Sequence, residues 1–163
     1  MALMTSGNFT DSQDDDADVV ALWSDGTLHL YPADGHGHLG ASTPMWPTTD
    51  KSWGTVNYLG AGDFNNDGRT EVLAQWFDGK LHLYTGDGTG SYTGSTLVTG
   101  GALATATKGI VAADFNNDGR PDIAVVNGDG TVDPYLGDGT GNLTTPGPNM
   151  WTDSSWGSMK LIA

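Results

Sequence analysis

Four oxygen-bearing side chains, Asp63, Asn65, Asp67 and Glu71, stand at the first, third, fifth and ninth positions of a short loop that bends at Gly68. The pattern returns as Asp114, Asn116, Asp118 and Asp122 around Gly119. Side chains of these types at this spacing suit a hard cation. Ca²⁺ takes about six to eight oxygens, so a short loop must turn every second side chain inward, bend sharply at glycine and add a backbone carbonyl, here that of Arg69 or Arg120. A helix-flanked calcium loop would also need a bidentate acid at its twelfth position. Ala74 and Val125 stand there, and the last acid comes three residues earlier. That acid opens an apolar, β-branched run, Glu71-Val72-Leu73-Ala74 in one copy and Asp122-Ile123-Ala124-Val125-Val126 in the other, which is strand material. A metal-free Asn-Asp-Gly turn would suit the same tripeptide. Two copies of the whole ligand ladder favour calcium.

A third, altered copy lies near the start. Gly7-Asn8-Phe9 aligns with Gly62-Asp63-Phe64, and Asp14 to Asp18 with Asp67 to Glu71, but two residues are inserted and Asp15 replaces the turn glycine. Asn8, Asp14, Asp16 and Asp18 are its candidate ligands, with a solvated acidic loop as the alternative.

The elements that must position these loops also repeat. Each loop is followed by an Asp-Gly turn between alternating runs, a strong hairpin signal: Trp23 to Tyr31, Trp76 to Tyr84 and Asn127 to Tyr135. A second glycine turn follows each hairpin, at Asp34-Gly35-His36-Gly37, Asp87-Gly88-Thr89-Gly90 and Asp138-Gly139-Thr140-Gly141. Strand-like pieces precede the loop (Val56 to Ala61) and follow the second turn (Ser91 to Val98), so each unit of about fifty residues holds four short strands. No segment sustains a helical period. In the middle hairpin, Val72, Ala74 and Trp76 are expected on one side with Leu81 and Leu83. Leu73, Gln75 and Phe77 are expected on the other with His82 and Tyr84. Both faces are then largely apolar, as for a sheet packed between neighbours.

Composition narrows the class. The 163 residues suit one domain, carry 20 acids against 6 Lys+Arg for a net charge of −14, and contain no cysteine. Such acidity argues against nucleic-acid partners, whose phosphates are met by Lys and Arg. No window reaches the length of a membrane-spanning helix, so membrane insertion is not expected. Calcium loops load most easily where calcium is millimolar, which favours an extracellular, secreted setting, although no signal peptide is visible in this chain.

The run D-F-N-N-D-G-R-P-D-I-A followed by D-G-x-x-x-x-Y-x-G-D-G-T-G resembles the FG-GAP/VCBS repeat. That repeat builds the calcium-bearing β-propellers of integrin α subunits and of fungal and bacterial lectins similar to the Psathyrella velutina lectin. The resemblance covers nearly the whole chain. It implies an all-β fold of propeller blades, each of four antiparallel strands, with metal loops that are mainly structural. Residues 1–163 form a single repeat domain with units at about 1–54, 55–105 and 106–157, while 158–163 fall in the phase of the next unit's first strand. Propellers use roughly four to eight blades, so three cannot close. Met150-Trp151 and Ser155-Trp156-Gly157 repeat Met45-Trp46 and Ser52-Trp53-Gly54. The expected solution is a homodimer that completes a six-bladed ring, with a fragment of a longer propeller as the alternative.

Ligand recognition is expected outside the loops. Trp46, Trp53, Trp151 and Trp156 lie in connections between units, where an indole face can stack on a sugar ring or fill core. His29 and His82, each two residues before Tyr31 and Tyr84, can hydrogen-bond a ligand or sit half-buried in a strand. No catalytic constellation stands apart from the repeats, so no enzyme is expected. The resulting expectation is a non-catalytic lectin that binds glycan between blades. A protein-binding adhesion or assembly module of the integrin type is the alternative.

Overall fold

The computed structural model describes residues 3–10, 16–103, 107–144 and 149–159, with the backbone alone at 99–102. It is all-β apart from two short 3-10 turns, at Ser52–Thr55 and Ser155–Ser158. Strands β1 (Leu3–Gly7), β2 (Asp18–Leu22), β3 (Leu28–Tyr31) and β4 (Thr43–Pro44) make one sheet. A second holds β5 (Val56–Gly62), β6 (Glu71–Trp76), β7 (Lys80–Gly86) and β8 (Tyr92–Ala102). The third has β9 (Gly109–Ala113), β10 (Asp122–Val126) and β11 (Val132–Tyr135). Neighbouring strands follow chain order and pair antiparallel in every sheet. Each sheet is therefore a blade made from one continuous stretch. Among the described residues the third blade shows three strands. Beyond β11, a bridge pairs Val132 with Trp151 at the position of the outer strand.

The hairpin turns set a register one residue away from the sequence expectation. Leu73 pairs with Leu83 and Gln75 with Leu81, while Val72 pairs with Tyr84 and Ala74 with His82. Leu81 and Leu83 therefore share a face with Leu73 and Gln75, not with Val72 and Ala74. The cause is turn length. The Gly79 N–H donates to Trp76 O at 2.9 Å, and Gly79 lies at φ +83°, so the loop holds three residues rather than the two of a bare Asp-Gly turn. Because side chains alternate, one extra residue exchanges the faces. The first and third hairpins do the same: Trp23 N–H donates to Thr27 O at 2.8 Å, and Asn127 N–H to Thr131 O at 2.9 Å.

Packing between blades forms the core. One cluster joins Phe9, Val20, Leu28, Leu30, Met45 and Trp53 to Val72, Ala74 and Tyr84, and so seals the first blade to the second. Another joins Phe64, Leu73, Leu81, Leu83 and Leu103 to Ile123, Val125 and Tyr135 across the next junction. A small third cluster, Ala124, Val126 and Val132, lies on the far side of the last blade. The innermost strands run beside one another, β1 next to β5 and β5 next to β9.

Candidate functional site

The acidic loops join β5 to β6 and β9 to β10, and their side chains point back onto their own backbone. Asp63 accepts from the Asp67 N–H (3.0 Å) and the Gly68 N–H (2.9 Å), while Asn65 Oδ1 accepts from Asp67 N–H (2.8 Å) and Asp67 from Arg69 N–H (2.9 Å). Asp114, Asn116 and Asp118 repeat these bonds to Asp118, Gly119 and Arg120. Asn66 and Asn117 take φ of 59° and 62°, a left-handed conformation that Asn tolerates better than most residues.

The ninth-position acids lie deeper. Asp18, Glu71 and Asp122 are buried and accept from the N–H of Phe9 (3.2 Å), Phe64 (3.0 Å) and Phe115 (2.9 Å). Asp18 and Asp122 also accept from Ala33 and Gly137, both at 2.9 Å, and so tie the loop to the segment after the hairpin. Burial, with the charges of Asp67 and Asp63, pushes the Glu71 carboxyl up to about 7.

Asn65 Nδ2 bridges Asp67 and Glu71, at 3.1 Å to each. Among the described residues, no three His, Cys, Asp or Glu groups already stand as an ion cage. The donor set nonetheless fits a hard dication: three carboxyl groups, an amide and the Arg69 carbonyl supply oxygen alone, and the buried Glu71 bears repulsion that a cation would relieve. In the first copy, Asn8 Oδ1 is buried without a partner, Asp18 makes the structural bonds above, and Asp14 lies outside the described residues. Asp16 sits against Gly35, where its carboxylate would meet a Cβ at 2.5 Å.

The tryptophans divide by position. Trp53 is 1% exposed. Its ring centroid lies 4.6 Å from Tyr84, 5.6 Å from Trp76 and 6.0 Å from Trp46, so it is the middle of an aromatic stack at the first junction. Trp46 packs edge-on to Tyr84, and its indole N–H donates to Asp50 at 2.7 Å. That bond, after the stronger one from Ser52 N–H, holds Asp50 below the usual carboxylate range. Their sequence equivalents Trp151 and Trp156 are exposed at the far end of the molecule, with Trp151 donating to Ser155 Oγ at 3.0 Å. Tyr84 is buried, and desolvation raises its phenol pKa. His82 is half-buried beside Trp76 (6.3 Å) and Tyr84 (6.4 Å). His29 contacts Thr27 Oγ1 at 3.1 Å and Trp23 at 5.9 Å, and Tyr31 is half-buried on the outer face of the first blade.

On Trp76, whose ring also packs against Trp53, opens a groove of about 350 Å³ lined by Thr55, Trp76, Phe77, Asp78 and His82. Phe77 is 77% exposed at its rim. Lys80 Nζ, 2.6 Å from Asp78, keeps that carboxylate below its ordinary range, so it stays an anionic acceptor at neutral pH. A second, larger groove of about 620 Å³ runs along Met45, Trp46, Pro47 and Tyr92. Phe77, Asp78 and Tyr92 were not singled out from the sequence. Phe77 sits inside the hairpin turn, and only the three-residue loop shows that it faces solvent.

A family model for the FG-GAP-like repeat matches residues 12–74, 63–125 and 114–163. The chain belongs to the FG-GAP-like repeat family. No curated protein matches it. Among solved structures it is similar to an Agrocybe aegerita lectin described for its specific recognition of non-reducing terminal N-acetylglucosamine, with a TM-score of 0.64 at 19% identity. That match covers 94% of this chain and 39% of the lectin, so this FG-GAP-like chain spans about two fifths of its relative's length. The likeness establishes the propeller architecture of its blades. Among the described residues, no helix of this FG-GAP-like protein is long and apolar enough to cross a membrane.

Proposed function

We propose that the protein is a calcium-stabilised, non-catalytic lectin that holds a sugar in the groove of Thr55, Trp76, Phe77, Asp78 and His82. The observation that carries this reading is the groove's make-up. An exposed aromatic ring stands beside an ionised carboxylate, an imidazole and a hydroxyl, which suits the apolar face and the hydroxyls of one pyranose. Trp53, outside the groove lining, would act only by packing on Trp76. The fold shared with a lectin adds weight, and terminal N-acetylglucosamine is the first ligand to try. The acidic loops would serve as fasteners of the blades, with calcium supplying the positive charge that the clustered carboxylates lack. Glu71, the one carboxyl among the described residues raised towards neutrality, is buried against backbone amides and lines neither groove described above, so it is not placed for acid catalysis. Millimolar calcium outside cells suits such loops, and a secreted setting follows from that.

A glycan array in calcium buffer tests the reading. Retention of a defined class of terminal sugar is expected, with Phe77→Ala and Asp78→Asn each weakening binding at least about tenfold while leaving the melting temperature within about 2 °C. Failure to retain any glycan would overturn it.

A further inference from the structure

The two outer faces of the molecule are the two halves of a junction that the chain already builds twice inside itself. At the inner junctions, Phe9, Met45 and Trp53 of the first blade are buried by the Val72, Ala74 and Tyr84 face of the second, and Phe64 of the second is buried against the third. On the far side of the third blade the equivalent residues lie open: Phe115 is 39% exposed, Met150 45% and Trp156 36%. On the near side of the first blade, the counterparts of Val72, Ala74 and Tyr84 are Val19, Ala21 and Tyr31. All three are only half-buried, and Trp23, the counterpart of Trp76, is 51% exposed.

The glycine turns give the same result independently. A Cβ on Gly141 would come 3.1 Å from Leu83 of the preceding blade, and one on Gly90 would collide with Leu30 of its own predecessor. Gly37 occupies the same place in the first blade at φ +89°, and a Cβ there meets nothing within 4 Å.

We infer that the occupant of both faces is a second copy of this chain, seated head to tail, so that Phe115, Met150 and Trp156 of each copy pack on Val19, Ala21, Trp23 and Tyr31 of the other. The chain carries both complementary halves, and the core shows how they fit. A head-to-tail contact either closes or runs on as a filament. Two copies would place six blades in one ring, within the roughly four-to-eight-blade range of closed propellers. Both faces are then covered at once.

Sedimentation velocity and light scattering on the intact chain read this directly. The expected mass is twice the 17.0-kDa chain mass. Trp23→Glu and Trp156→Glu should each return it to the single-chain value with an unchanged β circular-dichroism spectrum. Gly37→Asn guards against misfolding: Asn tolerates positive φ and the site is open in the single chain, so folding should persist while association weakens at least about tenfold. A single-chain mass for the unaltered protein at all concentrations would overturn the inference and leave the faces to further blades of a longer chain. So would a double mass that survives all three substitutions, or open-ended polymers.

Discussion

Trp53→Ala separates packing from recognition at the aromatic stack. The side chain is the largest among those fully buried, and it touches Trp46, Trp76 and Tyr84 at ring-centroid distances of 6.0, 5.6 and 4.6 Å. Truncating it removes an indole from between two blades, and Trp76 and Tyr84 cannot collapse into the space because the ladders of β5, β6 and β7 hold their backbones. A buried Trp→Ala change costs about 3–5 kcal/mol, combining lost transfer energy with the residual cavity. In a chain of this size each kcal/mol moves the midpoint by about 2–4 °C, so the melting temperature should fall by roughly 6–20 °C. Differential scanning calorimetry measures the shift, and glycan titration well below the new midpoint measures what binding remains. Binding should weaken far less than for Phe77→Ala, because Trp53 is absent from the groove lining and reaches it only through Trp76. A midpoint moved by less than about 2 °C, together with abolished sugar binding, would refute the assignment of Trp53 to the core and make it a ligand contact.

Two further outcomes are expected. Adding calcium at about a hundredfold excess over Kd should stabilise each intact loop by about 2.7 kcal/mol, so chelation should lower the midpoint by roughly 10–20 °C for two loops. Asp67→Ala or Asp118→Ala should each remove about half of that, and an unmoved melting curve would mean that the loops are turns alone. In chelator, the raised Glu71 pKa also gives stability a pH slope. The folded state holds this proton more tightly than the unfolded chain does, so the contribution is complete below pH 4.5, is lost as pH rises to about 7, and is flat beyond. Melting curves from pH 4 to 8 should show the decline without calcium and lose it in Glu71→Gln; a decline that persists in the variant would place its origin elsewhere.

The repeat period, the strand positions and the acidic ladder were legible in the sequence because each rests on local chemistry: glycine at positive φ, alternation of apolar residues, oxygen atoms at every second position. What escaped it depends on geometry between elements. Asp-Gly marks a hairpin without saying whether Phe77 belongs to the strand or to the turn, and that one residue decides which face Leu81 and Leu83 share. Ser52-Trp53-Gly54 and Ser155-Trp156-Gly157 are the same tripeptide, yet one indole is buried and the other open. The difference lies in what stands opposite, and no local pattern carries that. The groove was missed for a related reason: Trp76, Phe77, Asp78 and His82 come from two strands and the turn between them, and they meet Thr55 only once β5 pairs with β6.

Because strands within every blade are hydrogen-bonded in chain order, each ladder can be completed from residues that have already left the ribosome. The first blade needs nothing beyond Pro44 to form its hydrogen bonds, and the second nothing beyond Ala102. The apolar seals between blades, and cross-blade bonds such as that from Gly141 N–H to Phe64 O, await later sequence. Pairing confined to one blade at a time allows folding to advance with synthesis. Order of translation then becomes order of assembly, and the hazardous moment falls late, when a finished blade waits with Val20, Leu28 and Leu30 uncovered for the next to emerge.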